Sequence, residues 1–414
     1  MALGIGVNTF QENGLPVSYQ SLSLSPDLAL GEFGIGLDIT LNYRFANGQI
    51  DVRTEDWVPT SFADFFAIYL PKIAYVRWGT KGEPLYLKAG SFDDATLGNG
   101  FIMSNYSNKL FLPDTRIFGL SADVDGQLFG FPYVGIETVV GNLAAFDVLG
   151  ARLFTRPLLF LTVPVIKDLE VGGTFVTDTN PYLYTTNAGT ATPVSVYGAD
   201  FKLPILSNPA ISMAAYGDYA SISANGSSGA AFGLGGRFFG ILTYGAQFRA
   251  VGPGFIPTYF DATYDLFRAT RYDSVQPGTA TGPWTMGWLA STGFSVLDDK
   301  IVFYAGIDAP FTAPYPNATP ADPQYVLNYP HLRGVLTVAE GIIPGISLDF
   351  SYDKQGIATW ADLVSAQDAA IQAQLNYKTG PAVISLVYQL RYAPEQTPNP
   401  WVVTSGIQCS IELF

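Results

Sequence analysis

Between Gly345 and Lys354 the chain reads Gly-Ile-Ser-Leu-Asp-Phe-Ser-Tyr-Asp-Lys. Ile346, Leu348, Phe350 and Tyr352 alternate with Ser347, Asp349, Ser351 and Asp353. Successive side chains of a strand point to opposite faces, so this stretch predicts a strand with one apolar and one polar face. The alternation recurs. Residues 34–44 set Ile35, Leu37, Ile39, Leu41 and Tyr43 against Asp38, Thr40, Asn42 and Arg44. Residues 116–125 set Leu120, Ala122 and Val124 against Ser121 and Asp123, and 195–203 set Tyr197 and Phe201 against Asp200 and Lys202. Residues 241–250 oppose Tyr244 and Phe248 to Gln247 and Arg249; 371–378 oppose Leu375 and Tyr377 to Gln374 and Lys378; 384–392 oppose Leu386 and Tyr388 to Gln389 and Arg391.

Weaker alternation predicts further strands near 2–10, 17–28, 72–79, 84–92, 130–141, 147–155, 169–177, 210–220, 229–239, 284–297, 300–309, 331–340 and 401–413. The total is about twenty strands of about ten residues, the length a tilted membrane-spanning strand needs, with eighteen as the alternative count. Short connections (80–84, 298–300, 342–345, 379–382) contrast with long ones (46–71, 93–115, 179–193, 253–283, 310–330, 355–370, 393–400). The pattern predicts one all-β domain over residues 1–414: an antiparallel transmembrane β-barrel of even strand number, with short turns at one end and long loops at the other.

Composition narrows the reading. Hydrophobic residues make up 48% of the chain but charged residues only 14%, against about 25% in soluble domains. A spanning helix needs about 20 predominantly apolar residues. The longest uncharged run, 274–297, is broken by Pro277, Gly278, Gly282 and Pro283. The net charge of −14 argues against nucleic acid as a partner. One cysteine, Cys409, excludes an intrachain disulfide framework, and one histidine, His331, excludes a His-rich metal site. The pattern starts directly after Met1 with no basic or cleavable leader, so an outer-membrane location implies a mature chain.

Two loop segments read as helical. Ser61 is placed to cap a helix carrying Phe62, Phe65, Phe66 and Tyr69 on one face, and Thr359 to cap a turn through Trp360, Leu363 and Val364. Loops 46–71 and 93–115 are the candidates for insertion into the lumen as a constriction. Tyr and Trp at strand ends, such as Tyr43, Trp57, Trp78, Trp284 and Tyr392, read as interfacial girdles, with a solute-guiding aromatic track as the sharper alternative.

The alternating strands, the segment Leu85-Tyr-Leu-Lys-Ala-Gly-Ser-Phe followed by Leu97-Gly-Asn-Gly-Phe-Ile-Met, and the terminal Phe414 together resemble bacterial outer-membrane β-barrels of the porin type. Such barrels usually end in Phe with apolar residues at every second preceding position. Here the apolar set Ile407, Cys409, Ile411 and Leu413 is one position out of step with Phe414. The resemblance implies a bacterial outer-membrane location, short turns on the periplasmic side and a bilayer as the chain's surroundings. It also leaves open a homo-oligomer or an envelope protein partner.

Charges on the polar face then become pore-lining residues: Asp38, Arg44, Asp123, Asp200, Lys202, Arg249, Asp349, Asp353, Lys378 and Arg391, with Lys88, Arg152, Arg237, Asp218 and Asp308 as further candidates. The bland alternative is that these charges pair across the lumen. His331 lies next to a long loop without a Ser/Asp constellation in sequence, so no catalysis is expected. No cofactor or metal site emerges; an oxygen-ligand Ca²⁺ site near Asp93 and Asp94 lacks a spaced motif. The expected function is a channel for passive diffusion of small hydrophilic solutes or ions, weakly cation-biased. The alternative is a structural or partner-binding barrel with a closed lumen.

Overall fold

The computed structural model describes residues 2–12, 15–46, 48–112, 115–185, 191–320, 322–392 and 401–412. The connection 393–400 and the terminal pair Leu413 and Phe414 lie outside them. The first strands are β1 (Ala2–Glu12), β2 (Leu15–Ser25), β3 (Asp27–Leu30), β4 (Phe33–Leu37), β5 (Ile39–Ala46), β6 (Gln49–Val52), β7 (Ile73–Trp78) and β8 (Leu85–Gly90). Next come β9 (Gly119–Asp125), β10 (Val134–Val140), β11 (Val148–Thr155), β12 (Glu170–Asp178), β13 (Val194–Ser207), β14 (Ile211–Ile222), β15 (Ser228–Phe238) and β16 (Leu242–Val251). The series ends with β17 (Thr285–Val296), β18 (Ile301–Pro310), β19 (His331–Ile343), β20 (Ile346–Lys354), β21 (Ala369–Thr379), β22 (Ala382–Tyr392) and β23 (Trp401–Glu412). All belong to one large antiparallel sheet. From β7 onward each strand pairs with the next, and β1 pairs with both β2 and β23.

The alternation predicted from sequence appears as two unlike faces. Ile5, Val7, Phe175, Tyr197, Phe232, Phe248, Leu386 and Ile407 project outward and are exposed. Asn8, Asn42, Ser121, Arg152, Asp200, Gln247, Arg249 and Gln389 lie on the opposite face and are buried. Large apolar side chains left in contact with the surroundings all along a sheet suit hydrocarbon, not water. No helix among the described residues is long and apolar enough to cross a membrane.

Because neighbouring strands are antiparallel, connections alternate between two ends. One end holds 91–118, 179–193, 252–284, 311–330 and 355–368. The other holds the tight turns 31–32, 208–210, 239–241, 297–300, 344–345 and 380–381, with 126–133 and 156–169 as its longer members.

The first quarter of the sheet corrects the expected layout. Residues 46–71 do not form one long end loop: the chain turns back near Gly48 into β6, which pairs with β5. It then leaves the ladder at Arg53 and rejoins it at β7, which pairs with β4. Arg53 N donates to Asn42 O at 2.9 Å and Asp38 N to Lys72 O at 2.8 Å, so residues 53–72 are an excursion from the middle of a strand. Within it lies α1 (Phe62–Tyr69), capped as predicted by Ser61, whose Oγ accepts from Asp64 N at 3.1 Å. Its Phe62, Phe65 and Phe66 are exposed. Thr359 likewise caps the 3₁₀ turn Trp360–Val364 through a reciprocal bond with Asp362.

Two long connections fold onto the inner face. Residues 252–284, expected as an outer loop, instead carry α2 (Tyr264–Ser274), whose Tyr264, Asp265, Phe267, Arg268 and Arg271 are buried. Residues 91–118 pack against them: Ser104 N donates to Phe260 O at 3.0 Å and Phe260 N to Ile102 O at 3.1 Å. Phe92, Phe101, Met103, Tyr106, Tyr259, Phe260 and Tyr264 form a core with the inward Val139, Val148, Val176, Val196 and Ile222 of β10–β14. Burying one such side chain contributes about 1.5–3 kcal/mol, so this contact decides where the loops sit.

Candidate functional site: a cavity between the inner loops and the sheet

Arg268 projects from α2 among three buried carboxylates. Its Nη1 lies 2.9 Å from Asp147 Oδ2, its Nη2 2.7 Å from Asp178 Oδ1, and Asp265 Oδ1 is 3.5 Å away. Tyr184 and Tyr264 place their rings against the same guanidinium. Burial and the surrounding carboxylates push Asp265 up to about 7, despite Arg268. Arg268 itself is held above its ordinary value by Asp265 and Asp178, which outweigh its burial. A buried charge is tolerated only when paired, so this cluster fastens the helix to the loop-end rim of β11 and β12.

A second cluster centres on Arg152, which is 2% exposed. It makes a forked contact with Asp200 (Nε to Oδ2 2.9 Å, Nη2 to Oδ1 2.6 Å) and reaches Glu137 at 3.1 Å and Glu170 at 3.0 Å. Gly172 opposite allows this. A Cβ there would sit 2.5 Å from Arg152 Nε. The backbone of Gly98 donates to Glu137 Oε2 at 2.9 Å, tying loop 91–118 to the same cluster.

That loop extends well across the interior. Asn99 Nδ2 donates to Phe201 O on β13 at 3.1 Å and to Asp218 on β14 at 3.2 Å. Gln389 Nε2 on β22 donates to Leu110 O at 2.7 Å, Arg391 stacks on Phe111 at 4.9 Å, and Arg116 pairs with Asp38.

Beside these loops a cavity of about 420 Å³ remains against β16–β19. Arg249, Asp308 and His331 present it with charge from the sheet, Asp261 and Arg271 from the inner loop, and Asp368 from the β20–β21 connection. Arg249 Nη1 donates to Asp308 Oδ2 at 3.1 Å and its Nε to Gln247 at 2.5 Å. His331 Nδ1 lies 3.3 Å from Asp308 and Nε2 3.0 Å from Asp353. Both ring nitrogens face carboxylates, so neither is turned toward a nucleophile. Arg271 pairs with Asp261 and also donates to Thr258 O at 3.2 Å and Tyr259 O at 2.5 Å. Burial tends to raise Asp261, but Arg271 and His331 hold its carboxyl below the ordinary range.

The ten residues singled out from sequence fall into three groups. Arg249 lines the cavity, and Asp353 lies behind it, bonded to His331. Asp200, Asp38 and Arg391 secure loop 91–118 or the arginine cluster beside it. Arg44 pairs with Asp51 at 2.8 Å, Lys378 with Glu340 at 3.4 Å, and Asp349 accepts from Thr337 at 2.9 Å; Lys202 is exposed and Asp123 is half-buried on β9. Sequence reasoning missed Asp261, Asp265, Arg268 and Arg271. Their i, i+4, i+7, i+10 spacing among Tyr264, Phe267 and Tyr272 is a helical signal, and it stood in a segment taken for an outer loop. Asp93, raised as a Ca²⁺ candidate, pairs with Lys109 at 2.9 Å, and no group of metal-ligating side chains occurs among the described residues.

Neither a protein-family model nor a curated protein sequence matches the chain. Solved structures do. One is Wzi, an Escherichia coli outer-membrane protein involved in group 1 capsule assembly and described as a carbohydrate-binding β-barrel. It is 12% identical, the match covers 100% of this chain and 84% of Wzi, and the TM-score is 0.38. Another is the outer-membrane protein OprD of Pseudomonas aeruginosa, at 8% identity, 99% and 91% coverage and a TM-score of 0.32. Pseudomonas aeruginosa OpdO gives 10% identity, 99% and 94% coverage and a TM-score of 0.38. At these levels none assigns a residue role or a solute to this chain.

Proposed function

We propose that the chain is an outer-membrane channel for small hydrophilic solutes, with its path running through the cavity beside Arg249, Asp308 and Arg271. On this reading the sheet closes into a barrel through the β1–β23 ladder. β2 with β3, β4 with β5 and β6 with β7 each count as one interrupted stave, which makes twenty staves. An even number suits a bacterial barrel, and a barrel of this size is too wide for its own side chains to fill. The observation that carries the proposal is the cavity of about 420 Å³ beside β16–β19, walled by ion pairs and aromatics, while the inner loops pack against β10–β14. The net charge of −14 supports a weak preference for cations.

The closed-lumen, partner-binding reading keeps one observation in its favour: loop 91–118 bonds to both β13 and β22. Single-channel recording of the purified chain in a planar bilayer under a salt gradient separates the two. The channel reading expects small, steady openings with a cation-biased reversal potential. Silence from correctly folded protein would sink it and favour the closed barrel.

A further inference from the structure

The chemistry of the cavity wall narrows the class of solute. Apart from Asp322, whose carboxylate accepts from Thr319, each charge on it already has a partner of opposite sign close by. Arg249 holds Asp308, Arg271 holds Asp261, His331 sits between Asp308 and Asp353, and Lys354 attracts Asp368. An ionic solute entering such a wall must lose its own hydration and compete with a partner already in place. A hydroxyl loses far less hydration than an ion: it donates to the carboxylate and accepts from the neighbouring guanidinium, so two adjacent hydroxyls match one ion pair.

Another part of the lining is aromatic and held in place. Tyr315 is fixed by a mutual pair of bonds with Asn328 (Tyr315 N to Oδ1 and Nδ2 to Tyr315 O, both 2.7 Å), and its hydroxyl accepts from Gly254 N at 2.9 Å. Tyr325 and Tyr329 lie 5.1 Å apart, with hydroxyls 3.2 Å from one another. Rings of this kind offer apolar faces for C–H groups and polar tips for hydroxyls. A volume of about 420 Å³ falls within the range of small-molecule pockets, about 300–1,000 Å³.

We infer that the cavity is a binding site for an uncharged polyhydroxylated solute of mono- to disaccharide size, seated against the Tyr315/Tyr325/Tyr329 lining and the Arg249–Asp308 and Arg271–Asp261 pairs. The inference rests on the cavity being the path proposed above, but binding and conduction are measured separately. The full chain in detergent is titrated calorimetrically with maltose, with lysine and glutamate as charged probes, and the same solutes are added to single channels. Maltose should bind more tightly than either amino acid and interrupt the current. Tyr325→Ala should weaken maltose binding about fivefold to tenfold. Trp360→Ala, on an exposed turn that does not line the cavity, should leave it unchanged. Tighter binding of lysine or glutamate, or no maltose binding by folded protein, overturns the inference while a conducting pore still stands. Maltose binding by a silent protein supports the site and removes the channel.

Discussion

Near the loop end of β11–β14 the inward positions are Val148, Val176, Val196 and Ile222, all buried. At the same end of β16, β18 and β19 they are Arg249, Asp308 and His331. At this level the first wall carries apolar side chains on both faces, because the inner loops press against it as a domain core would, and the charges beside them, Asp178 and Arg152, are buried in ion pairs. The second keeps the polar inner face that a water-filled lumen needs, and it is the side where space remains. One sheet therefore serves two purposes: half of it is a foundation for the loops, and half is a wall of the cavity. The difference shows that strand chemistry on the inside is set by what is packed there, not by the membrane outside.

The largest effect expected from breaking this contrast comes at the fastening point. Arg268→Met removes the one cation among Asp147, Asp178 and Asp265 and leaves buried carboxylates unpaired. Breaking a buried pair in this way costs about 3–5 kcal/mol. Unfolding of the detergent-solubilised protein in denaturant should show that loss, and limited proteolysis should newly cut within 252–284. An unchanged midpoint would mean that the apolar core alone holds the loop.

A smaller test contrasts a packed inner position with an exposed one. Ile222→Ala opens a void against the inner loops and should cost about 2–5 kcal/mol. Gln374→Ala, on the inward, exposed side of β21, should shift stability by no more than about 0.5 kcal/mol. Equal losses at the two positions would mean that the inner loops do not hold Ile222 in a packed core.

The same division explains part of what could be read from sequence. β16, β20, β21 and β22, with polar inner faces, were legible residue by residue, but so was β13 despite its inward Val196, and β17, β18 and β19 beside the cavity gave only weaker alternation. β10, β11 and β12 gave weaker signals because Val139, Val148 and Val176 put apolar residues on the inner face as well. The excursion 53–72 was invisible as such, since a four-residue strand such as β6 is too short for alternation to mark. Helix α1 was legible through its cap and aromatic spacing. Helix α2 carries the same kind of periodicity, but its segment was read by length and neutrality as an outer loop. Arg249 could be found from its strand parity, whereas the pairing of Arg271 with Asp261 depends on how the loop folds back, which no local pattern encodes.

Acidity tests the fastening more gently. The folded protein holds Asp265 at about 7, above the ordinary carboxylate value of about 3.9, so folding favours its protonated form. Its contribution is full below about pH 4 and is lost as pH rises through about 7. Tyr106, whose hydroxyl donates to Asp265 at 3.1 Å, and Asp147, Asp178 and Arg268 surround the group. Hydrogen exchange within 252–284 should therefore quicken between about pH 6 and 8 beyond its intrinsic rate, and Asp265→Asn should flatten that rise. If the variant keeps the full dependence, another group carries the titration.

The smallest effect tests the wall that faces open space. Asp349 is exposed on the inward side of β20 and accepts a hydrogen bond from Thr337 at 2.9 Å. Asp349→Asn preserves the shape and that acceptor while removing one negative charge. Stability should change by no more than about 0.5 kcal/mol, because no buried pair is broken. In a pore, the charge would still be felt by passing ions, since exposed charges act over about a Debye length, about 10 Å at 0.1 M salt. The reversal potential under a salt gradient should thus move toward the unselective value, more clearly at low salt than at high. A reversal potential that stays fixed at low salt would mean that ions do not pass Asp349, and that any cation preference is set elsewhere along the path.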